Sequence, residues 1–480
     1  MTRASLTTDT PSDAPPSPAL RWVLISLSSS TLLSSLGTSI ANVGLPTFAQ
    51  VFGASFQEVQ WIVLIYLLAI TTLIVGAGRL GDLVGRRRLL LVGIGVFTVA
   101  SALCGVAPSL GALVAARAVQ GVGAALMMAL TLSMVGETVP KNRTGQAMGL
   151  LGTLSAVGTA LGPSLGGLLI AGPGWRALFF VLVPLGAVTS VLARRHLPAD
   201  RVRAAGSRTG FDPLGTLLVA LTLAAYALAM TLGRGQFGAL NAGLLVAAVV
   251  GAGVFVWVES KVASPLIPLA LFSDRTLSAS LGMSALVTTV MMATLVVGPF
   301  YLAGALGLEP AVVGLVMSTG PLVTALASAP AGRLADRVGA SRLTLIGLGG
   351  SCTGASLLAL MPTSWGVAGY TGAIVMTTGG YALFQTANNT TVMGDVAAEQ
   401  RGVVSGLLGL SRNLGLVTGA SVMGAVFAWA SNSPQLVTAP PEAVAFGMRT
   451  TFAIGAVLIG VALVIGIRAG GRSPRAAASA

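Results

Sequence analysis

The stretch GRLGDLVGRRRL, Gly78 to Leu89, returns as GRLADRVGASRL, Gly332 to Leu343. Each copy stands between two long apolar runs, and the copies lie about half a chain apart. A charged, glycine-punctuated loop repeated between apolar helices implies two copies of one membrane bundle, as in many secondary transporters.

Composition agrees. The chain is 54% hydrophobic and 9% charged, with a mean hydropathy of +0.88. A soluble domain carries about 25% charged residues, so the class is an all-α polytopic membrane protein in contact with a lipid bilayer. The net charge of +13 resides in short connections rather than on one face. It therefore reads as a topology signal and not as nucleic-acid binding. Two cysteines, Cys104 and Cys352, and one histidine, His196, offer no metal-ligand spacing. No metal and no cofactor is expected. There is no GxxxxGKS/T loop for ATP, and no cluster of His, Asp or Glu within the apolar runs to suggest an enzyme.

A helix needs about 20 apolar residues to cross the hydrocarbon. The runs that qualify are 22–46, 59–78, 88–107, 110–135, 145–171, 176–194, 214–233, 239–258, 277–303, 311–331, 342–361, 365–391, 402–430 and 447–468, fourteen in all. With the N-terminus inside, 22 of the 27 lysines and arginines fall on the inner side. Three fall outside, and Arg117 and Arg412 lie within spans. A wrong count would scramble this asymmetry. Both termini are thus expected in the cytoplasm, at the inner (plasma) membrane. The expected organisation is a disordered tail at 1–20, a six-helix bundle at 21–195, a linker with two extra helices at 196–275, a second six-helix bundle at 276–468 and a tail at 469–480.

Gly78, Asp82, Gly85, Arg86 and Arg87, with Gly332, Arg333, Asp336, Arg337 and Gly339, match the loop motif of the major facilitator superfamily. Arg117, Gln120 and Gly121 in LVAARAVQGVG resemble its fourth-span motif. Gly158, Gly162, Pro163, Gly166 and Gly167 in GTALGPSLGG resemble the fifth-span motif associated with exporters. SLGTSIANVGLP, Ser35 to Pro46, resembles the first-span motif of fourteen-span exporters. The chain as a whole resembles the fourteen-span drug:proton antiporters of that superfamily. The resemblance implies two pseudo-symmetric six-helix bundles, alternating access, and exchange of a small-molecule substrate for protons. A monomer is expected.

The same residues have physical readings of their own. In the loop motif, with Arg79 beside the residues already named, glycines permit tight turns. Asp82 is placed to accept from a helix N-terminus or to pair with Arg86. The motif is then either a conformational switch or only a topology signal. Arg117 within a span costs roughly 2.5–3.5 kcal/mol on insertion scales, so it must face polar groups, as a coupling residue or as a staple to backbone oxygens. Arg412, beside Asn413, carries the same argument. Gly158, Gly162 and Gly166 recur every four residues and share one helix face, which suits close helix packing. Asn42, Gln60, Tyr66, Gln385, Asn388 and Asn389 stand in otherwise apolar runs, either lining a cavity or bonding helix to helix.

The chain departs from the resemblance in one respect. Gly37 stands where the first-span motif carries an aspartate. All fourteen acids fall in tails, loops or near span ends. A cationic drug in a low-dielectric cavity calls for a carboxylate. The sequence therefore favours neutral, amphipathic or anionic substrates, with proton coupling through a peripheral acid such as Asp82, Glu58 or Glu137. The expected function is export of small hydrophobic or amphipathic molecules. A facilitator or exporter of anionic or neutral metabolites is the alternative, and a non-transporting membrane sensor is the alternative from another class.

Overall fold

A computed structural model describes residues 18–140, 144–200, 212–232, 238–262, 269–394, 401–432 and 439–470. Among them are no strands. Thirteen helical stretches are long and apolar enough to cross a membrane. The remaining expected span, α14 below, is 29 residues long. It is diluted by Thr377, Thr378, Gln385, Thr386, Asn388 and Asn389.

The helices are α1 (Pro18–Ser39), α2 (Leu45–Phe52), α3 (Phe56–Val84), α4 (Arg86–Gly105), α5 (Leu110–Thr138), α6 (Thr144–Ala171), α7 (Ala177–Phe180) and α8 (Leu182–His196). Then follow α9 (Pro213–Thr231), α10 (Ala239–Glu259), α11 (Arg275–Phe300), α12 (Pro310–Val338), α13 (Ala340–Leu360), α14 (Gly366–Gly394), α15 (Arg401–Thr418), α16 (Gly424–Ala430) and α17 (Pro441–Gly470). Local chemistry sets many of the starts. Ser55 and Glu58 form a reciprocal capping box at α3. Asp212 caps α9 ahead of Pro213, and Asp274 caps α11.

Three apolar runs hold more than one helix. The first is interrupted between Ser39 and Leu45, just before Pro46. The sixth breaks at Val181, because Pro184 lacks an N–H and its ring opposes the carbonyl four residues back. In the thirteenth, α15 and α16 are joined by a π-turn, Gly419–Met423. A second π-turn, Tyr301–Ala305, follows α11.

The repeated motif corrects the sequence reading. Expected as a loop, it is almost wholly helical. Gly78–Val84 forms the last two turns of α3, and Gly332–Val338 the last two of α12. Only Gly85 (φ 107°) and Gly339 (φ 90°) make the turns, in a left-handed region that favours glycine. The apolar runs underestimate both helices because a charged helix end leaves no hydropathy signal once it emerges from hydrocarbon.

Equivalent pairs touch in both halves. α4 packs on α5 as α13 does on α14, α3 on α5 as α12 on α14, and α1 on α6 as α11 on α15. α8 closes the first set against α1 and α4, and α17 closes the second against α11 and α13. α10 packs on α9, and α9 reaches both α3 and the π-turn Gly419–Met423. The halves meet chiefly through α6 and α12. The end of the bundle where α1 begins and α17 finishes is termed the near end, and the opposite one the far end.

Candidate functional site

Arg117 lies two turns inside α5 and is fully buried. Its Nε donates to Ile62 O at 2.9 Å, and its Nη1 to Gly37 O at 3.0 Å and to Gln120 Oε1 at 2.6 Å. The guanidinium lies over the Tyr66 ring, 4.0 Å from its centroid. Nη2 has no hydrogen-bond partner. Backbone carbonyls, an amide and a π-face thus hold this charge where a carboxylate would be the usual partner. Gln120 carries the network onward, donating to Ser101 Oγ at 2.7 Å, and Ser101 donates to Phe97 O at 2.7 Å. Tyr66 donates to Ser34 O at 3.0 Å and accepts from Thr38 Oγ1 at 3.4 Å. One node therefore joins α1, α3, α4 and α5.

Gly37 belongs to that node through its carbonyl. A Cβ at this position would lie 2.7 Å from Phe97 Cζ and 3.3 Å from Tyr66 Oη. The space of a first-span acid is filled here by the Phe97 ring.

The remaining polar candidates separate. Asn42 is buried and donates to Thr38 O at 3.3 Å, while its Oδ1 is unpartnered. Gln60 reaches across to the other half, donating to Ala420 O at 2.7 Å. Asn388 is buried and donates to Ser280 O at 3.4 Å. Gln385 is half-buried and Asn389 is exposed. Asn413 is buried. Arg412 is half-buried and acts electrostatically on Tyr381. Among the described residues, no hydrogen bond links these C-terminal side chains to the Arg117 node.

The fifth-span glycines have two partners. Added Cβ atoms at Gly158 and Gly166 would meet α1 and the turn after it, at Leu32 O (2.7 Å) and Val43 Cγ1 (2.7 Å). Gly162 would meet Ser39. Gly167 faces the other half, where it abuts Pro310 O and Gly314, and Gly314 in turn abuts the carbonyl of Pro163. The sequence showed the shared face but not this division. It also held an unread counterpart. Gly415 and Gly419 press on Ala285 O and Thr289 O of α11, as Gly158 and Gly162 press on α1. Their four-residue spacing was visible.

At the near end, Arg86 pairs with Glu137 at 2.8 Å and donates to Ser133 O at 3.2 Å. The first turn of α4 is capped by Asp200, which accepts from the backbone of Arg87 (2.8 Å) and Arg88 (3.1 Å). Arg87 Nη2 donates to Arg194 O at 2.6 Å. Of these partners, Ser133, Glu137 and Arg194 belong to the first bundle, and Asp200 to the stretch that follows it. The side chains of Arg79, Asp82 and Asp336 lie outside the described residues. Gly78 and Gly332 face open space, and Arg333 and Arg337 are exposed. Sequence reasoning missed Asp200, more than a hundred residues from the turn it caps. It also missed Ser101 and the carbonyls of Gly37 and Ile62, since backbone acceptors leave no side-chain signal.

Comparison with known proteins agrees with this geometry. The family model described as Major Facilitator Superfamily matches residues 27–420 and 279–479. The multidrug resistance protein Stp of Mycobacterium tuberculosis is 32% identical over 427 residues, covering 85% of this chain and 76% of that protein. The multidrug efflux pump LfrA of Mycolicibacterium smegmatis is 30% identical, covering 85% of this chain and 81% of that protein. The riboflavin transporter RibZ of Clostridioides difficile is 28% identical, covering 93% and 96%. Among solved structures, an inward-facing bacterial homologue of the lysosomal transporter Spinster superposes with a TM-score of 0.68 at 15% identity, covering 95% of this chain and 98% of that one. Likeness to named transporters, multidrug-efflux proteins among them, thus runs over most of the chain: the chain belongs to the Major Facilitator Superfamily, as a transporter and not an enzyme.

Proposed function

We propose that this transporter exports small hydrophobic or amphipathic molecules in exchange for protons, working as a monomer with both termini in the cytoplasm. The distribution of charge supports the substrate class. Each acid among the described residues stands in a connection or within a turn of a helix end. Among the described residues the cation Arg117 is fully buried well inside α5, while the buried acids Asp212 and Glu259 stand at the termini of α9 and α10. Between the ends of the described helices a cationic drug meets no carboxylate, and it is repelled by a guanidinium in a low-dielectric setting. A neutral compound is not. Riboflavin, an uncharged heterocycle, gives one relative its name, which fits this reading.

Proton coupling then belongs to a carboxylate at a helix end, among Asp82, Glu58 and Glu137. Glu137 has a direct route, because a proton on it would neutralise its pairing with Arg86, between the start of α4 and the end of α5. The test is uptake of a neutral amphipathic fluorophore into proteoliposomes with and without an imposed pH gradient. Uptake is expected to rise several-fold with the gradient and to fall back when nigericin dissipates it. Glu137→Gln should lose the gradient-driven part and keep downhill exchange. Equal uptake with and without the gradient would instead establish a facilitator.

A further inference from the structure

The Gln60 bond to Ala420 O spans the two halves. Its acceptor lies in the π-turn Gly419–Met423. In such a turn the backbone bonds run to the fifth residue instead of the fourth, so the ladder shifts and a carbonyl is released for an outside donor. One turn on, Gly424 makes room for the donor. A Cβ there would collide with Gln60 Nε2 and would lie 2.8 Å from its Cδ and 3.3 Å from Phe56 Cε1.

The surroundings are buried and aromatic. Phe56 sits edge-on to Phe300 and Phe427, at 4.9 and 5.3 Å between ring centroids. Both Gln60 and Ala420 are buried. A hydrogen bond gains strength in such a setting, and its loss leaves a buried group unsatisfied. α9, the first helix of the additional pair, rests on both α3 and this π-turn. Its Tyr226 reaches Thr418 and Ser421, which flank the acceptor.

We propose that Gln60, the Ala420 carbonyl and Gly424 form a latch holding the two halves together toward the far end. Tyr226 of the additional pair is a positioning residue that steadies the turn offering the carbonyl. The latch opens once in each cycle, because its two sides belong to halves that must part there. It acts on the conformational equilibrium and is independent of which substrate is carried. In this arrangement the two extra helices brace one side of the closure.

The experiment is a spin-label distance measurement between Val51→Cys and Glu309→Cys, two exposed far-end positions in opposite halves. The full chain carries Cys104→Ser and Cys352→Ser and is held in lipid nanodiscs. The protein with the latch intact should be dominated by the short distance. Gln60→Leu keeps the shape and removes the donor, and it should at least double the long-distance population. Gly424→Val should do the same by occupying the donor's space. Tyr226→Phe should shift the distribution in the same direction by less. Should Gly424→Val fail to fold, Gln60→Leu still decides. An unchanged distribution in Gln60→Leu overturns the latch, and an unchanged distribution in Tyr226→Phe overturns the brace.

Discussion

At the scale of single residues, Gly37 and Arg117 explain each other. Arg117 takes the Gly37 carbonyl at 3.0 Å, while the Phe97 ring occupies the place of a side chain at 37. An aspartate introduced there would not point into open space. It would press on Phe97 and lie beside Tyr66 and the guanidinium. Gly37→Asp should therefore destabilise the protein by about 1–3 kcal/mol, the usual cost of overpacking, measured by thermal unfolding in detergent. Combined with Phe97→Leu, the loss should be clearly smaller than the sum of the two single losses, since residues in contact couple. Strict additivity would show that the ring and position 37 do not compete. That Arg117 needs polar company was legible from one charge in an apolar run. That its company is two carbonyls, a glutamine and a ring was not, because carbonyls belong to every residue and mark none.

Among helices, close approach is set by where glycine faces backbone. Gly158 presses on Leu32 O, whereas Gly152, six residues earlier on α6, faces open space. The two positions make a matched pair. Gly152→Ala should leave stability unchanged or raise it by up to about 1 kcal/mol, since alanine is the better helix former. Gly158→Ala should lower it, because a carbonyl on α1 cannot move aside as a flexible side chain can. Melting temperatures of the two variants decide; equal values would mean that the α1–α6 contact has slack. Periodicity revealed this face, but not that Gly167 turns from it toward α12. Successive residues on a helix point about 100° apart, so a run of two glycines serves two neighbours, and only the fold says which. The repeated motif misled for a similar reason. Its arginines and glycines resemble a loop, yet the helix continues through them until Gly85 and Gly339 stop it.

For the whole molecule, the two halves repeat the same packing of six spans, and the additional pair stands beside them on α3 and the π-turn. The repeat of Gly78–Leu89 at Gly332–Leu343 made that duplication readable before any coordinates. The bonds between halves were not readable: Gln60 and Ala420 are 360 residues apart, and no local pattern joins them. Choice of substrate by charge belongs to this scale too. On the proposed reading, a bundle whose described acids all stand at helix ends or in connections, and which buries the cation Arg117 away from those ends, selects against cations. The decisive comparison sets a neutral amphipathic compound against a divalent cationic dye in the same proteoliposomes, under the same imposed proton gradient. The neutral compound should be moved against its gradient, and the dication should be transported at least tenfold more slowly. Robust gradient-driven transport of the dication would contradict this selection and require an acid at a helix end to reach the substrate.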